Sequence, residues 1–302
     1  MDGAPSVGQV LSDELGINVA SVDSTAGGDI NDAFRVNCDD GRVLFVKTSA
    51  AALPGVFEDE AAGLEWLAEP GGVAAAKVAG VFDPTGEADG PRLLALDWIE
   101  RGSLGRDGEE QLGHGLARMH AAGAPAFGAT PLRGGGYANS PMRFNQLALP
   151  NDPCDTWAEF YATRRILPLA RAAAERGVMP DDGVNAIDRL AARLPDLAGP
   201  AEAPARAHGD LWSGNVMANA EGAPILIDPV AHGGHREVDL ALLRLFGGPS
   251  ERCYRAYEEV SPLSEGHSER IVLWQIGMIL LHAYLLGGSY GAQAVSMARR
   301  YL

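Results

Sequence analysis

Apolar positions along the chain first recur as in strands and later as in helices. Val7, Val10, Leu11 and Leu15 lie at helical spacing, which predicts an opening amphipathic helix. Ala33-Phe34-Arg35-Val36-Asn37 and Arg42-Val43-Leu44-Phe45-Val46-Lys47 read as strands, joined by the strong hairpin turn Asp39-Asp40-Gly41. Strand, turn, strand is the order of an antiparallel sheet. Phe57, Ala61, Leu64 and Leu67 then share one helical face, and Gly71-Gly72 breaks that helix. Val78-Ala79-Gly80-Val81-Phe82 and Arg92-Leu93-Leu94-Ala95-Leu96 are two further strands around a polar turn with Pro84, Gly86 and Gly90. Asp97-Trp98-Ile99-Glu100 leaves the sheet, so the lobe boundary is placed there, giving lobes of residues 1–100 and 101–302.

Helical patterns dominate the rest. Leu112, Leu116 and Met119 predict a helix ending near His120, before Gly123 and Pro125. Residues 128–153, rich in Gly, Pro and Asn, predict a long functional or capping loop. Trp157, Phe160 and Tyr161 begin a helix that carries Arg164 and Arg165, with Pro168 as a candidate kink. The apolar run from Ile271 to Leu286 contains Gln275 and His282 and is short for a membrane span, so it reads as a buried C-terminal helix. The fold class that results is α+β and bilobal: a small N-terminal lobe with an antiparallel sheet plus helix, and a larger, mainly helical C-terminal lobe.

Composition narrows the partners. Across 302 residues, 24 basic against 40 acidic side chains leave a formal charge of −16. Such a field repels nucleic acid and anionic membranes, and favours small, especially cationic, substrates. Cys38, Cys154 and Cys253 are scattered and odd in number, with no Cys-x-x-Cys pair, which points away from disulfide or zinc frameworks. Met1-Asp2-Gly3-Ala4-Pro5 lacks the basic and apolar regions of a signal peptide, so a cytoplasmic location is expected.

The chemistry concentrates in His208-Gly209-Asp210-Leu211-Trp212-Ser213-Gly214-Asn215 and in Ile225-Leu226-Ile227-Asp228-Pro229. An Asp five residues before an Asn, followed by an Asp at a strand end, is the spacing of the phosphoryl-transfer centre in protein-kinase-like enzymes. There a carboxylate meets the substrate hydroxyl, while a carboxamide oxygen and a second carboxylate hold Mg²⁺ against the ATP phosphates. Lys47 ends a strand, and Glu60 on the next helix is its preferred partner, with Glu58 and Asp59 as rivals. Gly27-Gly28-Asp29-Ile30-Asn31 could bring backbone N–H groups to phosphates or could be a plain tight turn. Neither a Walker-type run nor a dinucleotide-binding Gly-x-Gly-x-x-Gly occurs.

The remaining candidates each carry two readings. His208 orders the catalytic turn through hydrogen bonds rather than taking a proton. Asp239 is either a helix N-cap or a holder of the 208–210 backbone. His232 and His235 have the spacing of a metal pair but no third ligand, so His235 faces substrate or is a simple hydrogen-bonded histidine. Trp212 walls a sugar site or packs in the core.

In order, these pieces resemble the fructosamine (ketosamine) kinases. The likeness rests on Gly27 to Asn31, Phe57 to Leu64, Leu94 to Glu100, His208 to Asn215, Gly234-His235-Arg236-Glu237-Val238-Asp239-Leu240-Ala241, Leu245-Phe246-Gly247-Gly248 and Gly287-Gly288-Ser289-Tyr290, from about residue 22 to 294. Leu-Trp-Ser-Gly-Asn after the Asp, with Gly-His-Arg-Glu following, separates that family from generic aminoglycoside phosphotransferases. The resemblance implies ATP-dependent phosphorylation of O-3 of a ketoamine formed by glycation, acting in deglycation. The expected partner is a small-molecule or protein-bound ketoamine, with a monomer as the favoured state. The resemblance also implies Asp210 at the hydroxyl, Asn215 and Asp228 on Mg²⁺, Lys47 with Glu60 on the phosphates, Gly28, Asp29, Ile30 and Asn31 over the nucleotide, and the Asp97-Trp98-Ile99 backbone at adenine. Asp29 stands where many relatives carry a cysteine. His232-Gly233 replaces a common pair of tyrosines, and the 128–153 segment lacks the usual Thr-Pro-Gln-x-Asn. Alternatives are another small-molecule kinase with an aminoglycoside, choline-like or sugar acceptor, and a nucleotide-binding pseudokinase.

Overall fold

The computed structural model describes residues 6–25, 32–49, 53–84, 91–144 and 147–302. Helix α1 (Val7–Leu15) starts in a capping box formed by Ser6 and Gln9 and ends at Gly16 in the left-handed region. Strands β1 (Val19–Ser24), β2 (Asp32–Cys38) and β3 (Val43–Thr48) form a meander, followed by α2 (Val56–Ala68), the short β4 (Ala74–Ala75), β5 (Val78–Phe82) and β6 (Leu93–Asp97). The sheet runs β1-β2-β3-β6-β5, antiparallel throughout. β1 escaped the sequence reading because five of its six side chains are exposed, leaving no apolar alternation to detect.

Strand period two assigns the faces of this sheet. Leu44 and Val46 point to α1, where they join Val10, Leu11 and Val36. Phe45 points the other way, to Phe57, Ala61 and Leu64 of α2. Lys47 therefore falls on the α2 face, in register with Ala33 and Leu94. Gly55 at the start of α2 has no side chain to cap it, so Asp83, beyond β5, accepts from the Phe57 and Glu58 N–H groups at 2.7 and 3.2 Å.

The large lobe opens with α3 (Arg106–Ala121). The 128–153 segment, expected as loop, contains two small hairpins: β7 (Thr130–Pro131) with β8 (Tyr137–Ala138), and β9 (Met142–Phe144) with β10 (Leu147–Leu149). Next come α4 (Trp157–Phe160), a π-helical turn (Tyr161–Ile166) and α5 (Leu167–Glu175). Pro168 has no N–H for the Arg164 carbonyl, which accepts from Arg165 Nη1 at 3.0 Å instead. After α6 (Gly183–Leu197) the strands β11 (Ala205–Ala207), β12 (Val216–Ala218), β13 (Pro224–Leu226) and β14 (His232–Gly234) frame the turns around residues 208–215 and 227–231, and α7 (Arg236–Leu243), α8 (Glu251–Val260), α9 (His267–Leu286) and α10 (Tyr290–Ala298) complete the lobe.

By length and composition α9 could cross a membrane, yet 61% of its apolar window is buried within the protein. Tyr161 penetrates it, its hydroxyl accepting from the Gly277 N–H at 2.8 Å, and Trp274 donates to Glu237 at 2.9 Å. This is a core helix. The lobes also share elements: β4 pairs in parallel with β13, and Trp66, Leu67 and Val73 pack with Leu112, Leu116 and Leu226. The far end of α2 thus rests on the large lobe.

Candidate active site

β11 and β14 pair antiparallel and bring the 208–210 turn beside Val230. Gly209 sits at φ +83°, and a Cβ there would lie 2.2 Å from the Val230 carbonyl, so only glycine fits. Asp239, fully buried in α7, accepts from the His208 and Gly209 N–H groups at 2.7 and 3.0 Å. His120 Nε2 meets the same carboxylate at 3.2 Å, and His120 Nδ1 meets the Tyr257 hydroxyl at 2.9 Å. Burial pushes the Asp239 carboxyl up, but these bonds outweigh it and hold it below the usual range. Of its two readings, Asp239 has the backbone-holding geometry.

The N-cap of α7 is instead His235, whose Nδ1 accepts from the Glu237 N–H at 3.3 Å. It is 3% exposed, its ring within 6 Å of those of Trp157 and Trp274 (5.8 and 5.7 Å). Of its two readings, His235 has the geometry of the hydrogen-bonded histidine. His208, also fully buried, places Nε2 3.0 Å from the Ile227 carbonyl and accepts the Asp210 N–H on Nδ1 at 3.2 Å. Those partners require the Nε2–H tautomer. Burial keeps its pKa low and the ring neutral. His208 thereby fastens the Asp210 turn to the residue before Asp228.

Asn215 Nδ2 donates to the Asp210 carbonyl at 2.8 Å and to Asp210 Oδ2 at 3.1 Å. Burial raises the Asp210 carboxyl to about 7, opposed by that Asn215 bond and reinforced by the Asp228 charge. Asp228 is the one non-glycine residue at positive φ among the described residues, at +52°. Aspartate tolerates this region better than most side chains, at a cost of about 1 kcal/mol. Its Oδ1 reaches Lys47 Nζ at 2.8 Å, and Glu60 Oε2 reaches the same nitrogen at 2.6 Å. Burial alone would lower the Lys47 pKa; Glu60 and Asp228 together hold it above the ordinary value, so the ammonium stays charged.

Glu60 is therefore the lysine's partner on α2. Its rivals turn elsewhere: Glu58 to Arg133 at 3.6 Å, and Asp59 to Arg143. Both amide hydrogens of Asn215 go to Asp210, leaving its carboxamide oxygen for another ligand. The Asp228 side chain is 46% exposed, which leaves its carboxylate accessible. Hard oxygens of this kind fit Mg²⁺.

Trp212 is 38% exposed, which rules out its core reading. Its ring meets Phe246 edge-on (6.2 Å), Phe246 meets His282 (5.2 Å), and His282 meets Tyr290 (5.3 Å). Phe246, His282 and Tyr290 went unassigned in the sequence. They follow α7, lie in α9 and begin α10, so no spacing links them; the Leu245-Phe246-Gly247-Gly248 and Gly288-Ser289-Tyr290 runs were the only hint. At the inter-lobe edge, the Asp97 N–H donates to Lys77 (2.9 Å) and the Trp98 N–H to Val43 (3.0 Å). Arg35 lies 5.2 Å from the Trp98 ring centre, and Ile99 packs toward α2. Gly28, Asp29, Ile30 and Asn31 lie outside the described residues.

Comparisons place this geometry. The fructosamine kinase family profile matches residues 4–302. A probable ketoamine kinase of Synechocystis is 34% identical over 92% of this chain and 89% of its own length. The chloroplastic protein-ribulosamine 3-kinase of Arabidopsis thaliana is 30% identical over 97% of this chain and 86% of its own. The crystal structure of a fructosamine-3-kinase homologue from Thermobifida fusca superposes with TM-score 0.86 at 41% identity, covering 98% of each chain. An aminoglycoside phosphotransferase solved with ADP and hygromycin B, at 17% identity and TM-score 0.60 over 98% and 97% of the two chains, shares the kinase-like fold. With a matching profile over nearly its whole length and the kinase-like bilobal fold, this chain belongs to the fructosamine kinase family.

Proposed function

We propose that the protein is an ATP-dependent kinase that phosphorylates the 3-hydroxyl of ketoamines, fructosamine or ribulosamine adducts, free or on protein. The observation that carries this is the position of Asp210 in sequence and space: Asn215 bonds its carboxylate, and the exposed Trp212 begins an aromatic surface two residues later. A cationic amine carrying a sugar suits aromatic rings and an acidic protein. Relatives named for ketoamine and ribulosamine substrates support the same acceptor class.

In this mechanism Asp210 hydrogen-bonds the O-3 hydroxyl and takes its proton as that oxygen bonds the γ-phosphorus and ADP departs. A carboxyl near 7 can hold and release that proton at neutral pH. Lys47, fixed by Glu60, neutralises the phosphates, and residues 28–31 and the 97–99 backbone bind the nucleotide between lobes 1–100 and 101–302. Asn215 and Asp228 would hold Mg²⁺, which when bound neutralises phosphate charge. Because the transition state is loose, position and charge contribute more than base strength. The product adduct is unstable and releases the amine, completing deglycation in the cytoplasm.

A phosphate-transfer assay with fructosyl-lysine, ribulosyl-lysine and glycated protein tests this reading. Turnover of at least one, lost in Asp210→Asn, is expected. Absence of all three activities, with turnover of an aminoglycoside or choline-like alcohol, would overturn the acceptor.

A further inference from the structure

Helix α2 carries Glu60, and it is tied to the large lobe along its length. At its far end, Arg206, just before the catalytic turn, stacks on Trp66 with 4.5 Å to the ring centre and donates to Glu69 at 2.8 Å. In the middle, a Cβ on Gly63 would lie 3.0 Å from the Ala231 Cβ and 3.3 Å from Pro229, so glycine lets α2 seat directly on the chain after Asp228. Near its first turn, Arg143 of β9 pairs with Asp59, the neighbour of Glu60, and its guanidinium lies 3.7 Å from where a Gly55 Cβ would be.

Arg143 belongs to the hairpin segment, whose other contacts also reach α2. Arg133 meets Glu65 at 3.2 Å, and the Trp66 indole donates to Tyr137 at 3.2 Å. The segment is anchored behind by Asn151, which donates to the Ser140 carbonyl at 2.9 Å and accepts from Arg165 at 2.6 Å. A cation at a helix N-terminus is unfavourable by dipole alone. Here the carboxylate of Asp59 offsets it, and the pair fixes the turn that aims Glu60 at Lys47.

We infer that Arg143 is a positioning residue: through Asp59 it holds the first turn of α2, and so keeps the Glu60–Lys47 pair formed for nucleotide binding. The two hairpins then act as a strap from the large lobe to the small one. This rests on the kinase reading of Lys47 and Glu60, but not on which alcohol is phosphorylated.

The test is a double-mutant cycle read by calorimetric titration of ATP with Mg²⁺. Arg143→Ala and Asp59→Asn should each weaken ATP binding roughly tenfold, as expected when a ligand-positioning group shifts. The double variant should lose little more than either single one. Arg143→Lys should recover part of the loss, acceptor KM should stay within about twofold, and unfolding temperatures should match wild type. Wild-type ATP affinity in Asp59→Asn alongside a loss in Arg143→Ala would overturn the inference, because Arg143 would then act on the phosphates directly. Strictly additive losses, or losses that track a fall in unfolding temperature, would overturn it too. Failure of the nucleotide-site reading of Lys47 and Glu60 is distinguishable, since the unmodified protein would then bind no ATP.

Discussion

The proposed nucleotide side and acceptor side of the catalytic loop use opposite materials. On the first, Lys47 and Glu60 are buried, and charge is confined by partners at 2.6 and 2.8 Å. On the second, Trp212 and Phe246 stand 38% and 42% exposed and meet edge-on. The nucleotide side has to meet the same triphosphate every time, so rigid electrostatic preorganisation suits it. An acceptor that arrives on different amines is better met by rings that offer area and a cation-attracting face without demanding one geometry.

The largest effect should come from Asp210, the proposed proton acceptor where the two sides meet. Asp210→Asn keeps the shape and the Asn215 contact, yet removes the proton acceptor, so kcat should fall by about a thousandfold. ATP affinity measured by titration should change little. Equal loss of affinity and turnover would mean Asp210 organises the nucleotide side rather than the chemistry.

Next comes Lys47→Met. It leaves the buried Glu60 beside Asp228 without a cation, and breaking a buried pair costs about 3 kcal/mol. Chemical denaturation should register that loss, and ATP binding should disappear with it. A variant of normal stability would show that the charge on this side is solvated after all.

Trp212→Ala sharpens the contrast from the other direction. An exposed ring contributes little to folding, so the midpoint of unfolding should hold, while acceptor KM rises roughly fivefold, in line with about 1 kcal/mol for an aromatic contact. Phe246→Ala should behave likewise but more weakly. A drop in ATP affinity in either variant would dissolve the separation of the two sides.

The smallest effect concerns His232, which lies behind Gly209 on β14. Burial, with the Arg165 charge adding to it, pushes this imidazole down to about 3. In the unfolded chain it gains a proton below its ordinary value of 6.5, where the folded chain does not. Its contribution to stability is therefore fully present above about pH 6.5 and is lost progressively as the pH falls toward 3. His208 and His235 are shifted in the same sense. His232→Leu should flatten, without abolishing, the acid-side fall of unfolding temperature; an unchanged slope would show that His232 does not titrate between the two states.

Much of this is legible in the sequence alone. Asp39-Asp40-Gly41 between two apolar runs specifies a hairpin by local turn chemistry, and β2 and β3 pair across it. The 208–228 motif is legible because its residues lie close in sequence and each backbone turn is short. β1 was not, since its exposed side chains carry no period. The hairpins of 128–153 were read as loop because strands of two or three residues leave no detectable alternation. The burial of His235 was not legible for a different reason: Trp157 and Trp274, which pack on it, come from helices about 40 to 80 residues away, and no local pattern announces them.

By itself the sequence determined β2, β3, β5, β6 and the helices α1, α2, α3 and α9, the spacing of Asp210, Asn215 and Asp228, and the candidates for the lysine's partner, because hydrophobic period, turn residues and short motifs act over a few positions. Tertiary structure alone decided that Glu60 rather than Glu58 or Asp59 meets Lys47, that Asp83 caps α2, that Asp239 holds the catalytic backbone, and that Phe246, His282 and Tyr290 join Trp212. Each of those choices depends on which faces two distant elements turn toward each other, and a one-residue rotation of α2, about 100° in a helix, would have changed the first of them.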